Sequence, residues 1–149
     1  PSEAERVLAA MAANGLARGD GLEVSVMCAL PANVIRAEEF AQRFDGFSIG
    51  SNDLTQLVLG VDRGAAALAE LFDESDAAVK AMIADVIARA RKAGAKTGLC
   101  GQAPSDDPTF AAFLVSCGID SVSVSPDSFV AVKQSVAAAE AAILRQSHS

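Results

Sequence analysis

Two short segments combine residue types that could hold a ligand and act on it. One supplies backbone N–H groups, an amide and a carboxylate, and the other supplies a thiol beside bare glycine backbone. Each segment follows a short apolar run that suits a buried strand, and parallel α/β proteins bind ligands at the carboxyl ends of their strands. The candidate site residues are Gly50, Ser51, Asn52 and Asp53 in the first segment and Cys100, Gly101 and Gln102 in the second.

Asn52 and Asp53 allow two interpretations. A carboxylate beside an amide suits a hard cation such as Mg²⁺, which prefers oxygen ligands and is usually shared with a substrate phosphate. Asp53 could instead cap the helix that follows, since aspartate is a favoured N-cap residue. Residue types alone favour the cap, and the two roles are compatible.

Cys100 also has two interpretations. A lone thiol in an apolar strand is usually a small buried hydrophobe, but Gly98 and Gly101 flank this one and would let a ligand approach. Cys28 and Cys117 lack such surroundings, and we interpret both as core residues. Gln102 begins a turn-like segment, so a ligand contact and a plain turn are both open for it.

Two further charged groups are interpreted as solvent-exposed. Asp62 and Arg63 predict a surface ion pair. Asp73, Glu74 and Asp76 have a metal-like density of carboxylates but no recognisable ligand spacing, which favours a solvated loop.

Helical and strand patterns alternate along the chain. This alternation predicts an α/β fold with a parallel sheet of four βα units. A closed (β/α)₈ barrel needs about 250 residues, so the 149 residues form a single domain, 1–149, with room for half a barrel. The predicted strands are 23–30, 47–50, 96–100 and 121–124, and the predicted helices are 3–14, 31–43, 53–59, 77–93, 108–117 and 128–144, with 62–76 irregular.

Composition argues against several classes of protein. The formal net charge of −7 disfavours a nucleic-acid partner, and no apolar run approaches the ~20 residues of a membrane span. The start of the sequence lacks a secretory leader. Three cysteines without a CxxC pair indicate reduced thiols and a cytoplasmic location. The single histidine, His148, lies in the tail, which argues against histidine-based catalysis.

The run Phe47–Gln56, Phe-Ser-Ile-Gly-Ser-Asn-Asp-Leu-Thr-Gln, resembles the phosphoenolpyruvate (PEP)-utilising enzymes, as does the run 98–102, Gly-Leu-Cys-Gly-Gln. The resemblance extends over about residues 3–130. Within that family, residues 71–74 and 100–106 resemble the PEP synthases (pyruvate, water dikinases) more than the pyruvate phosphate dikinases or enzyme I of the sugar phosphotransferase system.

The resemblance implies the carboxyl-terminal half of a PEP/pyruvate-binding barrel, its fifth to eighth strands. It implies that Asp53 ligates Mg²⁺ and that Cys100 is the general acid/base for the proton at C3 of the enolate. The complete enzyme would convert pyruvate, ATP and water to PEP, AMP and phosphate through a phosphohistidine. The substrate-binding residues implied are Gly50, Ser51, Asn52, Asp53, Gly101 and Gln102.

The partners implied are the amino-terminal half of the barrel, a phosphohistidine domain and a nucleotide-binding domain. Without them we expect the isolated chain to be inactive. Ala29 stands where the family has a glutamate, the other protein ligand of Mg²⁺ besides the aspartate that matches Asp53. This difference keeps open an alternative, a non-catalytic half-barrel that completes a barrel with a partner chain or self-associates. Apolar outer strands without inward charges favour self-association. Whether the chain is a fragment or a naturally short protein is also open.

Overall fold

The computed structural model describes residues 2–19 and 21–146, so His148 lies outside the described residues. Within this part of the chain, four strands alternate with helices. The strands are β1 (Ser25–Cys28), β2 (Gly46–Ile49), β3 (Lys96–Leu99) and β4 (Ser121–Val122). The helices are α1 (Ser2–Ala13), α2 (Pro31–Ile35), α3 (Ala37–Ala41), α4 (Ser51–Leu59), α5 (Ala77–Lys92), α6 (Ala103–Asp106), α7 (Pro108–Cys117) and α8 (Phe129–Gln146), with 3-10 turns at Ala66–Leu71 and Pro126–Ser128.

The four strands form one sheet in the order β1-β2-β3-β4, and every pair is parallel. Each strand therefore pairs with the next strand along the chain, as in a barrel. The register places Met27, Ser48, Gly98 and Ser121 in one row across the sheet. This arrangement confirms the predicted α/β fold, a four-stranded parallel sheet that forms part of a barrel.

Helices cover one face of the sheet and bury the core there. The apolar residues that α5 buries against the sheet recur with the spacing of one helix face. The fully buried residues of α5 are Val79, Ile83, Val86, Ile87 and Ala90, and the sheet residues buried beneath the helices are Cys28, Phe47, Ile49 and Leu99.

The opposite face of the sheet carries small and polar side chains, apart from the exposed Met27 of β1. Successive strand residues point to opposite faces, so the row containing Ser48 and Gly98 belongs to this uncovered face. Lys96 Nζ lies 2.7 Å from Glu23 Oε1 in an exposed ion pair. The expectation of strands without inward charges is therefore wrong at Lys96 of the inner strand β3, while the outer strands β1 and β4 place the uncharged residues Ser25, Met27 and Ser121 on this face.

The helices differ from the predictions at several boundaries, and α6 is a short helix that was not predicted. The segment predicted as one helix, 31–43, is divided into α2 and α3 at Arg36, whose φ of −109° is not helical. Both short helices pack against α5, so tertiary contact compensates for the lost helical hydrogen bonds. Helix α4 begins at Ser51, two residues before the predicted start.

The thiols of Cys28 and Cys117 agree with their interpretation as core residues. Cys28 is fully buried, and burial raises the pKa of its thiol to about 12. Cys117 is half-buried against the core, and burial raises the pKa of its thiol as well. Among the described residues, no helix is both long enough and apolar enough to cross a membrane.

Candidate functional site at the carboxyl edge of the sheet

The two candidate segments lie side by side because β2 and β3 are neighbours that end at the same edge. The backbone N–H of Cys100 donates to the carbonyl of Ile49 at 2.9 Å, and the N–H of Gly50 donates to the carbonyl of Cys28 at 3.1 Å. Ala29, Gly50 and Cys100 therefore lie level on β1, β2 and β3. Neighbouring strands are about 4.8 Å apart, so residues in this row can touch one ligand.

Cys100 is held on the uncovered face of the sheet. Its side chain is exposed, in contrast to those of Cys28 and Cys117. The hydroxyl of Ser48 donates to Cys100 Sγ at 3.1 Å, and the thiol lies 3.4 Å from the carbonyl oxygen of Ile49 as a donor. Ser48 was not among the predicted site residues, although its position two residues before Gly50 on a parallel strand would have placed it on the same face.

Ser51 and Asn52 begin α4 and share a partner, Glu74. The hydroxyl of Ser51 donates to Glu74 Oε1, and Asn52 Nδ2 donates to Glu74 Oε2 at 3.2 Å. Ser51 is fully buried and Asn52 is half-buried. The first turn of α4 is therefore attached to the segment that precedes α5.

Glu74 corrects the interpretation of its acidic segment as a solvated loop. It is half-buried, and burial raises the pKa of its carboxyl group, against the hydrogen bond from Ser51. The negative charge of Asp106 raises this pKa further. Asp73 and Asp76 have local roles, since each accepts a backbone hydrogen bond from the residue two positions later. The sequence carried no signal that separated Glu74 from these two neighbours.

Asp53 occupies the first turn of α4 but does not cap the helix. Gly50 is the N-cap residue, and no side chain caps the helix there. The cap interpretation is therefore wrong, because α4 begins two residues earlier than expected. Asp53 Oδ2 lies 3.7 Å from the position that a Cβ on Gly50 would occupy. The half-exposed carboxylate thus leans over the end of β2 and is available to a ligand.

Arg63 lies beside the site because the chain reverses after α4. The reversal occurs at Gly60, the residue that follows the helix, whose φ is +66°. Its backbone N–H donates to Gln56 Oε1 at 3.3 Å, and Arg63 Nη1 lies 3.8 Å from Asp53 Oδ1. The expected pair with Asp62 is wrong, because Asp62 accepts instead from the N–H of Gly64. Arg63 therefore supplies a positive charge beside Asp53.

Glycine is required at position 101 because the neighbouring side chains leave no room for a Cβ. A Cβ at this position would overlap Ser51 Oγ and lie 2.9 Å from Ser51 Cβ and 3.2 Å from Glu74 Oε1. Gln102 is exposed, and its carbonyl accepts the first backbone hydrogen bond of α6, from Ser105 at 2.8 Å. No hydrogen bond of the Gln102 side chain occurs within the described residues, so its predicted ligand contact stays a prediction.

The carboxylates of the described residues do not form a metal site by themselves. Among residues 2–19 and 21–146, no three His, Cys, Asp or Glu side chains are grouped to hold an ion. Asp53 brings one carboxylate to the edge, and Ala29, level with Gly50, brings only a methyl group. A cation here would need the remaining ligands from water or from a substrate.

Comparison with known proteins agrees with this geometry. Residues 2–141 match the family described as PEP-utilising enzyme, PEP-binding domain. The chain belongs to this family. The match covers all four strands and both segments of the site, which confirms the resemblance inferred from the motifs.

Close relatives of this PEP-binding domain are PEP synthases. The chain is 54% identical over 144 residues to the PEP synthase of Synechocystis and 57% identical over 129 residues to that of Aquifex aeolicus. It is 50% identical over 129 residues to the PEP synthase of Escherichia coli. These alignments cover 96%, 86% and 86% of this chain, but only 18%, 15% and 16% of the relatives. The chain therefore spans less than a fifth of their length.

Substitution of Gly101 by alanine tests the packing of the two loops. We expect Gly101→Ala to lower the free energy of unfolding by about 2 kcal/mol, because the new methyl group overpacks against Ser51. Gly50→Ala is the control, since its Cβ would make only ordinary contacts, the nearest at 3.6 Å from Met27 Sδ. Urea unfolding followed by circular dichroism measures both. Equal losses in the two variants would contradict the close approach of Gly101 to Ser51.

Proposed function

We propose that this chain forms the carboxyl-terminal part of the PEP/pyruvate site of a PEP synthase. In the complete enzyme it would contribute to phosphoryl transfer between a phosphohistidine and pyruvate, with the overall conversion of pyruvate, ATP and water to PEP, AMP and phosphate. The observation that carries the proposal is the common strand edge shared by the exposed thiol of Cys100 and the segment Gly50–Asp53, in a chain that matches PEP synthases.

Cys100 is the proposed proton-transfer group. When pyruvate becomes an enolate, a proton leaves C3, and a general base must stand within contact of that carbon. Cys100 suits this role because its thiol faces the uncovered side of the sheet, and Ser48 and Ile49 fix its direction.

The phosphate and carboxylate of PEP need positive groups, because the chain as a whole carries a net charge of −7. Arg63, 3.8 Å from Asp53, supplies one such charge at the strand edge. The first N–H groups of α4, at Ser51 and Asn52, add partial positive charge from the nine-residue helix. Further cationic groups would come from the amino-terminal half of the barrel.

Asp53 is the residue of this chain that would hold Mg²⁺. The donor set fits, because Mg²⁺ usually keeps several waters and takes one or two carboxylates together with substrate phosphate. Bound there, the ion would polarise the enolate oxygen and the transferred phosphoryl group. Ala29 adds no ligand, so affinity for the metal alone would be low.

The remaining parts of the enzyme are proposed partners. The relatives are more than five times as long as this chain, which leaves room for the amino-terminal barrel half, the phosphohistidine domain and the nucleotide-binding domain. Within the described sheet, β1 and β4 each have a free edge that further strands could pair with. We also propose a cytoplasmic location, because all three cysteines are free thiols.

Binding of PEP gives the first test. In ³¹P NMR titrations with Mg²⁺ present, we expect Arg63→Gln to weaken PEP binding about tenfold, as loss of one charge-assisted contact would. Arg6→Gln, on the exposed face of α1, is the matched control and should bind like the unmodified chain. Asp53→Asn should remove the effect of Mg²⁺ on PEP affinity. Unchanged PEP affinity in Arg63→Gln would contradict the proposed anion site.

A chimera tests the chemistry. In this chimera, the chain replaces the matching region of the E. coli PEP synthase. We expect the chimera to form PEP from pyruvate and ATP. Cys100→Ala in the chimera should reduce PEP formation by at least about a hundredfold, the usual contribution of a general acid/base, and leave histidine phosphorylation intact. Cys117→Ala, remote on α7, should retain the rate. PEP formation at the parental rate by the Cys100→Ala chimera would assign the proton to another group.

A second candidate function is a non-catalytic half-barrel that pairs with another copy, favoured by the free edges of β1 and β4. Because the uncovered face is polar, we expect edge pairing in a two-fold dimer rather than burial of that face. Light scattering across a hundredfold dilution should show a dimer that dissociates on dilution. A chain that is monomeric at every concentration would exclude this assembly.

A further inference from the structure

Glu74 joins the two loops that carry the candidate site. Its carboxylate accepts from the hydroxyl of Ser51 and from Asn52 Nδ2, which belong to the loop after β2. The backbone N–H of Ala103, which follows β3 at the start of α6, faces the same carboxylate and acts to lower its pKa. Gly101 of that second loop approaches both Ser51 and Glu74.

We infer that Glu74 is a positioning residue: its carboxylate ties the loop after β2 to the loop after β3 and so fixes Asn52 relative to Cys100. The inference goes beyond the proposed function, which uses Asn52 and Cys100 but gives no role to Glu74. Only its consequence for ligand binding depends on that function.

Two side-chain donors, Ser51 and Asn52, hold the carboxylate, and the N–H of Ala103 adds a favourable dipole. A carboxylate has about four acceptor positions, and the half-buried Glu74 has limited access to water. Asp106 and Asp73 both disfavour its negative charge, while Ser51 and Ala103 favour it. Removal of one donor therefore weakens the hold of the carboxylate on the others, which is the physical basis for coupling across the two loops.

The orientation of Asn52 follows from the same contact. A carboxylate accepts hydrogen bonds only, so Glu74 fixes the Nδ2 side of the amide towards itself. The described residues offer no hydrogen bond to Asn52 Oδ1, and the amide therefore presents its oxygen to a ligand in one defined direction. Loss of Glu74 would free the amide to rotate.

Amide hydrogen exchange, measured by NMR on the whole chain, tests whether Glu74 connects the two loops. We expect Glu74→Ala to speed exchange of the Ala103 amide about tenfold, because the loop after β3 loses the carboxylate that Gly101 and Ala103 face. The Asn52 side-chain amide signals should shift, while the Ile83 amide in the core should exchange at its original rate. Glu70→Ala, an exposed carboxylate four residues earlier, is the matched control and should leave both loops unchanged.

A double-mutant cycle separates positioning from simple destabilisation. Ser51→Ala alone should speed exchange at Ala103, although Ser51 lies on the other loop, and should add little in the Glu74→Ala background. Glu74→Gln, which keeps one acceptor oxygen, should restore part of the protection. If Glu74→Ala does not fold, the exchange rate of the Ala103 amide in Ser51→Ala, compared with that in Glu70→Ala, still tests the inference. Unchanged exchange at Ala103, or a uniform increase over the whole chain, would overturn the inference.

Binding of PEP then separates this inference from the proposed function. In the chimera with the E. coli PEP synthase and with Mg²⁺ present, Glu74→Ala should bind PEP about tenfold more weakly than the unmodified chimera, as expected when a preorganised site is loosened. If the unmodified chimera binds no PEP, the proposed function fails while the exchange data still decide on Glu74. If PEP binding is normal in Glu74→Ala, the tie has no role in positioning and the inference is overturned.

Discussion

The parallel pairing of β2 with β3 is the constraint on which the rest of the site depends. The backbone N–H of Cys100 donates to the carbonyl of Ile49, which places the thiol level with Gly50 although fifty residues separate them. Parallel strands need a crossover, and α4 and α5 provide it. A slip of the register by one residue would turn Cys100 to the helix-covered face and remove it from the strand edge.

Residue size distinguishes the closely packed face of the sheet from the face that is open to a ligand. Large apolar side chains occupy the helix side, where Phe47, Ile49 and Leu99 are almost fully buried. Glycine and serine dominate the other side, so space for a ligand remains above the sheet. Gly101 shows how narrow the tolerance is, because one added carbon would meet the side chain of Ser51.

The net charge of the domain is negative, as is the charge of its proposed ligand. The chain has an excess of acidic residues, and Asp53, Glu74 and Asp106 all belong to the two loops at this edge or to the segment beside them. Two of these acids have local partners, since Asp53 lies beside Arg63 and Glu74 accepts from Ser51 and Asn52. An anionic substrate would therefore bind through a few positioned donors and a shared cation rather than through the overall field of the domain.

The sequence by itself determined the α/β fold with its parallel sheet and the candidate residues Gly50–Asp53 and Cys100–Gln102, because short apolar strands ending in glycine and polar residues are local patterns. Only the tertiary structure decided that Ser48 contacts Cys100, that Arg63 and not a helix cap accompanies Asp53, and that Glu74 differs from its acidic neighbours. These contacts join residues up to 52 positions apart. Local periodicity carries no information about them, since side-chain partners across a sheet edge are fixed by strand register and by the path of the connecting loops.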